Sequence, residues 1–210
     1  MLEKGDTKSR ILDAAEKLFG LNGFDATSLR DITAEAQVNL AAVNYHFQSK
    51  DSLIDAVISR RIEPVSRLRM EMLDAAGPNP TVEQILAAFL VPLLNSDLAS
   101  VTPLLGRMMS DPTQFLVRVF KKYLTPVSER IQEELHKALP ELPREELLWR
   151  MHYVAGIMTH LMSWSQVLRE LTGGLCDMSD RQAVIDRIIV FAAAGFRTPA
   201  HVPAMVQKRG

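Results

Sequence analysis

Apolar residues recur at helical spacing through most of the chain, and nowhere do they alternate in the two-residue rhythm of a strand. Ile11, Leu12, Ala15, Leu18 and Phe19 place one stripe on a first helix, which Asn22-Gly23 closes because glycine tolerates a left-handed cap. Ser28 followed by Asp31 has the form of a capping box, and Leu29, Ile32 and Ala36 then face one way along a short second helix. After the tight turn Gln37-Val38-Asn39, Asn39 is placed to cap a third short helix, Leu40 to His46, with Val43 and Phe47 on its inner side. Ser49 caps a longer fourth helix bearing Leu53, Ile54, Val57, Ile58 and Ile62. Pro64 lacks an amide proton and is expected to bend or break that helix.

Gly77-Pro78-Asn79-Pro80 is the clearest linker. Thr81 begins a helix to about Asn95, Ser100 to Met109 fits another, and Pro112 opens one that reaches Ala138 with Pro126 as a kink point. Pro140 and Pro143 mark the next break. Glu145 to Leu171 reads as a long helix ended by Gly173-Gly174, and Ser179 is expected to cap a last helix finishing near Gly195. The expectation is an all-α chain of about nine helices, a small head on a larger body. Residues 1–49 are expected to form a three-helix head containing a helix-turn-helix, and residues 50–210 a larger helical body.

Composition narrows the function classes. With 210 residues, 47% of them apolar and 23% charged, the chain suits a soluble globular protein with a sizeable core. A net charge of −1 argues against coating nucleic acid or an anionic membrane by bulk electrostatics, so any contact with DNA must be local. The single cysteine, Cys176, cannot form an internal disulfide or a multi-thiolate metal site and fits a reducing cytoplasm. The charged start Met1 to Asp6 is unlike a signal peptide. The apolar runs Ile85 to Leu94 and Ile188 to Phe196 fall short of the roughly 18 residues of a membrane span, so no membrane partner is expected. His152 and His160 lie about 80° apart around a helix, which makes a poor metal pair. Cys176 has no histidine beside it, and no phosphate-cradling or dinucleotide glycine loop is present. Catalysis, a metal and a cofactor are therefore not expected.

The segment Ser28 to Phe47 has the form in which one short helix braces a second inside a DNA major groove. Its outward face carries Asn39, Leu40, Ala41, Ala42, Asn44, Tyr45 and His46. Ala41 or Ala42 suits a thymine methyl, and Asn44 suits an adenine edge, a bidentate contact worth about 1–3 kcal/mol of discrimination. Tyr45, His46 and Lys50 would reach phosphates, with Lys8, Arg30 and the helix start at Ser28 adding backbone contacts, as could Lys4 and Arg10. Against this, residues 1–62 hold eight Lys and Arg but nine Asp and Glu, so the head is not basic overall. From these residues alone, two packed helices with a solvated polar side is an equal reading.

Family resemblance separates the two. Thr27-Ser28-Leu29-Arg30-Asp31-Ile32-Thr33, Ala36-Gln37-Val38-Asn39, Asn44-Tyr45-His46-Phe47 and Lys50-Asp51-Ser52-Leu53 together resemble the DNA-binding head of the tetracycline-repressor (TetR) family. The preceding Ala14-Ala15-Glu16-Lys17-Leu18-Phe19 and Asn22-Gly23-Phe24 match as well, so the likeness spans roughly the first quarter of the chain. Two positions depart from the family pattern. Gln37 stands where the turn usually has glycine, at a cost on the order of 1 kcal/mol if positive φ is needed, and Thr33 stands where alanine is usual. A fainter likeness, in Leu147-Leu148-Trp149-Arg150-Met151-His152-Tyr153 with Val43 to Phe47, is to regulators of the fatty-acid-responsive PsrA type. It implies a fatty acid or acyl-CoA effector that releases a repressor from operator DNA.

The long helix from Glu145 carries too much apolar surface for one face, including Val154, Leu161, Trp164 and Leu168, and the last helix is similar, with Ile185, Ile188, Ile189 and Ala192. A homodimer seam through these two helices would bury the surplus. For the effector, Phe89, Met108, Phe115, Phe120, Tyr123, Met151, Met158 and Met162 could line an adaptable apolar cavity, with Arg107 or His152 meeting a polar group. Core packing alone would use the same residues. The alternatives that stay open are an aromatic drug-like effector on the same fold, and a helical lipid-binding protein or enzyme whose head is structural.

Overall fold

The computed structural model describes residues 4–95 and 114–200. Among them are eight helices and no strand: α1 (Lys4–Asn22), α2 (Leu29–Ala36), α3 (Leu40–Phe47), α4 (Lys50–Ala75), α5 (Val82–Leu94), α6 (Gln114–Ala138), α7 (Arg144–Leu171) and α8 (Arg181–Arg197). The helix expected over Ser100 to Met109, and Pro112, lie outside the described residues. The described residues fall into two compact units, 4–66 with 114–125 and 67–95 with 126–200.

In the first unit, local capping chemistry sets where each helix begins and ends. Gly23, at φ +90°, closes α1 by donating its N–H to the Phe19 carbonyl at 3.0 Å. Thr27 is fully buried, and its hydroxyl donates to the carbonyls of Gly23 at 2.8 Å and Leu18 at 3.2 Å, which folds the α1–α2 loop onto α1. The expected capping box is present: the Ser28 hydroxyl accepts from the Asp31 N–H, and the Asp31 carboxylate accepts from the Ser28 N–H at 2.9 Å. Hydrogen bonding from Ser28 holds the Asp31 carboxyl below its usual range. Ile11, Ala15 and Phe19 from α1, Ile32 from α2, Val43 and Phe47 from α3, and Leu53, Val57 and Ile58 from α4 close a common core. That core continues along α4 through Ile62, well past residue 49.

Pro64 does not break α4, which runs unbroken from Lys50 to Ala75. The proline removes one donor inside the helix, but Arg60 and Pro64 are both exposed, so water can serve the carbonyl left without a partner. The two compact units part nearby, after Ser66.

The second unit is built on α5, whose residues are buried nearly all round: Val82, Ile85, Leu86, Ala88, Leu90, Leu93 and Leu94. Thr81 caps it with a second reciprocal box through Gln84. α5 packs most extensively on α8, and α7 lies against both. Arg197 near the end of α8 pairs with Glu83 at 2.6 Å, and that hydrogen bond lowers the Glu83 pKa. Arg150, buried on α7, satisfies the end of α8 by donating to the carbonyls of Gly195, Phe196 and Thr198 at 2.7–3.0 Å. The cap of α8 is Asp180 rather than Ser179: its carboxylate accepts from the Ala183 N–H at 3.0 Å. With aspartate one residue nearer the first turn, a carboxylate meets the helix N-terminus and the serine is not needed.

Candidate nucleic-acid interface

Helix α3 has a fixed inside and a fixed outside. Asn39 caps it, its side-chain oxygen accepting the Ala42 N–H at 2.8 Å. Val43 and Phe47, one turn apart, are 1% and 5% exposed and anchor the helix in the head's core. The opposite face presents Leu40, Ala41, Asn44 and Tyr45, with Asn39 and Gln48 at its two ends, all exposed. Ala42 and His46 are half-buried on the flanks, Ala42 against the core and His46 edge-on to the Tyr45 ring at 5.1 Å. The seven residues expected to face outward thus divide into a central stripe and two edges.

The turn that aims α3 uses Gln37 at φ +52°, in the left-handed region. Arg10 compensates from α1. Its guanidinium donates to the carbonyls of Ala36 and Gln37, the latter at 3.0 Å, so this arginine is committed to the turn rather than to phosphate. Thr33, the other departure from the family pattern, satisfies its hydroxyl on the Arg30 carbonyl at 2.8 Å. A second left-handed residue, Gln48 at φ +64°, ends α3 and was not foreseen from sequence. The available signal was the single residue separating Phe47 from the Ser49 cap of α4, too little chain to reverse direction without positive φ. Replacing Gln37 with glycine should stabilise the head by about 1 kcal/mol, read as a raised midpoint in thermal unfolding. An unchanged or lowered midpoint would mean that the Gln37 side chain contributes something the turn geometry does not reveal.

Asp13, Glu16 and Glu35 are each paired, with Arg60, Arg61 and Lys17, at 2.6 Å. Each of these ion pairs is neutral in sum and braces two helices of the head. Lys8 is exposed, with its ammonium 6.0 Å from the Phe47 ring centroid near the end of α3. Arg30 is exposed on α2. Lys50 donates to the Asp25 carbonyl at 3.2 Å, tying the start of α4 to the α1–α2 loop. The Ser28 hydroxyl is occupied by Asp31 and forms part of the cap.

The described residues expected for an effector divide between the two units. Arg107 and Met108 lie outside the described residues, and Phe115 and Phe120 fall in the N-terminal part of α6. Tyr123 belongs to the first unit, where its hydroxyl donates to the Asp55 carboxylate at 3.1 Å beside the Lys122–Asp55 ion pair at 2.9 Å. In the second unit Phe89 is half-buried beneath the guanidinium of Arg69, Met158 is buried, and Met151 and Met162 are half-buried. His152 is exposed and edge-on to Trp149 at a centroid distance of 6.1 Å.

The residues expected at a dimer seam need correction. Val154, Ile185, Ile188 and Ala192 are at most 6% exposed, because they face the unit's own core and are already covered. Leu161, Leu168 and Ile189 are half-buried, and Trp164 is exposed. The apolar surface left open on α7 includes the stripe Trp149, Tyr153, Gly156, His160, Trp164, Val167 and Leu171, spaced by three or four residues. Tyr153 stacks on Trp149 at 6.1 Å and Trp164 on His160 at 5.7 Å. On α8, Val190, Phe191 and Ala194 are exposed.

Comparison with known proteins then decides the class. The family model described as "Tetracyclin repressor-like, C-terminal domain" matches residues 87–195, more than half of the chain, and "Bacterial regulatory proteins, tetR family" matches residues 11–57. The chain belongs to the TetR family. It is similar to the "Probable HTH-type transcriptional regulator YttP" of Bacillus subtilis (strain 168), 34% identical over 83 residues, which are 40% of either chain. It is also similar to the "HTH-type transcriptional repressor Rv3405c" of Mycobacterium tuberculosis (strain ATCC 25618 / H37Rv), 37% identical over 81 residues, 39% of this chain and 41% of that one. The chain spans about two fifths of the length of these curated relatives. A TetR-family structure from Rhodococcus RHA1 superposes with a TM-score of 0.63 over 93% of this chain and 98% of that one, at 19% identity, a likeness of fold. The TetR family is one of transcriptional regulators rather than enzymes. Among the described residues, no helix is long and apolar enough to cross a membrane.

Proposed function

We propose that this TetR-family chain is an operator-binding transcriptional repressor, acting in the cytoplasm as a homodimer and released from DNA by an apolar effector. The observation that carries the DNA reading is α3 itself, locked inward by Val43 and Phe47 and presenting Leu40, Ala41, Asn44 and Tyr45 as one exposed stripe. Small and uncharged residues let that stripe approach base edges, while Tyr45, His46, Lys8, Arg30 and Lys50 stand at its margins for phosphates. Repression is favoured by the name of the Mycobacterium relative. Replacing Asn44 with alanine should relax sequence preference by about 1–3 kcal/mol, whereas replacing Tyr45 should weaken binding to all duplexes alike. Competition gel shifts with single-base operator variants measure both, and an unchanged sequence preference in N44A would overturn the assignment of Asn44 to base reading.

The second copy is assigned to the open stripe on α7 and the exposed face of α8. Gly156 supports this. A glycine in a helix interior costs about 0.5–1 kcal/mol relative to alanine, and a Cβ there would meet nothing within 4 Å in this chain. Nothing inside the protomer requires the missing side chain, whereas a helix from a second copy crossing between Tyr153 and His160 would. Two α3 helices carried by such a dimer would enter successive major grooves about 34–36 Å apart. In this reading residues 1–49 form the DNA-binding head, with Lys50 at its border, and 50–210 hold the effector and the partner. A coupling of about 1–3 kcal/mol between effector and operator would change DNA affinity 5- to 150-fold. A fatty acid or acyl-CoA is the effector class that suits the methionine-rich second unit. Mass spectrometry of the purified protein should find a retained acyl chain, and gel shifts with added acyl ligands should show release.

A further inference from the structure

In the second unit α4 turns Leu73, 1% exposed, to its inward side. One turn before Leu73, at a position where that side calls for an apolar residue, stands Arg69, only 5% exposed. Its Nε donates to the Phe89 carbonyl at 2.9 Å, and its guanidinium carbon lies 4.4 Å from the Phe89 ring centroid. Among the described residues no carboxylate pairs with it. Arg150, buried to a similar degree in the same unit, is the instructive contrast, because Glu146 at 2.9 Å balances its charge and three backbone carbonyls engage its donors. Burial lowers the Arg69 pKa to about 10, which still leaves it charged at neutral pH.

A buried charge without a counter-ion is costly, and a methionine would fill the same stripe without that cost. The charge is therefore informative. A guanidinium held through Nε and along one face keeps its remaining N–H groups in a fixed plane, the fork that receives a carboxylate or phosphate through two parallel bonds. Leu73, Leu86 and Leu90 are buried in the same unit.

We propose that Arg69 is the anion anchor of the effector site, so that the effector is an apolar molecule ending in a carboxylate or phosphate rather than an uncharged one. This rests on the reading of the chain as effector-responsive. The test is calorimetry on the full-length, delipidated protein with dodecanoate, dodecyl phosphate and methyl dodecanoate, comparing wild type with R69Q and R69K. One or both anionic ligands should bind wild type about tenfold or more tighter than the ester, the tighter naming the headgroup. R69Q should bring the anions down to the ester, and R69K should retain much of the preference. Equal binding of acid, phosphate and ester by wild type, or an equal loss of all three in R69Q, would overturn the anchor while leaving an effector site in place. Binding of none of the three would overturn the acyl reading and the anchor together. If R69Q does not fold, the wild-type comparison and R69K still decide.

Discussion

Replacing Trp164 with aspartate is expected to turn the dimer into a monomer and to weaken operator binding by at least about 100-fold. Trp164 is 52% exposed in the single chain and lies in the middle of the open α7 stripe, stacked on His160. A tryptophan at the centre of an interface is the residue type that most often dominates its energy, at about 2–4 kcal/mol on truncation. An aspartate there would add an unpaired charge facing its own symmetry copy. The protomer itself should stay folded, because the side chain is not part of its core. DNA affinity falls because a monomer engages one half-site and loses the gain from linking two. Light scattering gives the mass, circular dichroism the fold, and gel shift the affinity. A variant that stays dimeric would move the seam elsewhere on the surface.

Phe19 is the second position where a large effect is expected. It is fully buried in the head, contacts the Phe24 ring at a centroid distance of 5.2 Å, and shares its core with Ile32 and Val43. Truncation to alanine should cost about 3–5 kcal/mol, the transfer energy of the ring plus the cavity it leaves. A head with so small a core has little stability in reserve, so a loss of that size should abolish DNA binding. Thermal unfolding followed by circular dichroism should show an early transition confined to part of the helical signal. A shift equivalent to less than about 1 kcal/mol would mean that the core collapses around the gap, contrary to the full burial of this ring.

The parts of this molecule that were legible in its sequence are those decided within one helical turn. Ser28 with Asp31, Asn39, Thr81 and Gly23 act on backbone groups three or four residues away, so their types and spacing suffice. The inward positions Val43 and Phe47 were readable for the same reason, and with them the outward face of α3. What the spacing could not decide was partner choice. α7 carries apolar residues on two sides, and Val154 is as apolar as Tyr153 or Trp164, yet Val154 faces α7's own unit while the others face out. Pro64 was misjudged as a possible break because local rules count the lost hydrogen bond without the solvent that replaces it. Arg10 and Arg69 were hidden in another way: a basic residue at an apolar helical position signals an inward charge, but its partner is known only once the chain is folded.

The most direct test of the central claim is selection of bound fragments from a random duplex library by the purified protein, followed by sequencing. Expected is a near-palindromic motif whose half-sites are centred one helical turn apart, enriched by wild type and lost on W164D, with N44A blurring an adenine in each half. Recovery of no motif, or of a single unpaired half-site by a monomeric wild-type protein, would contradict it.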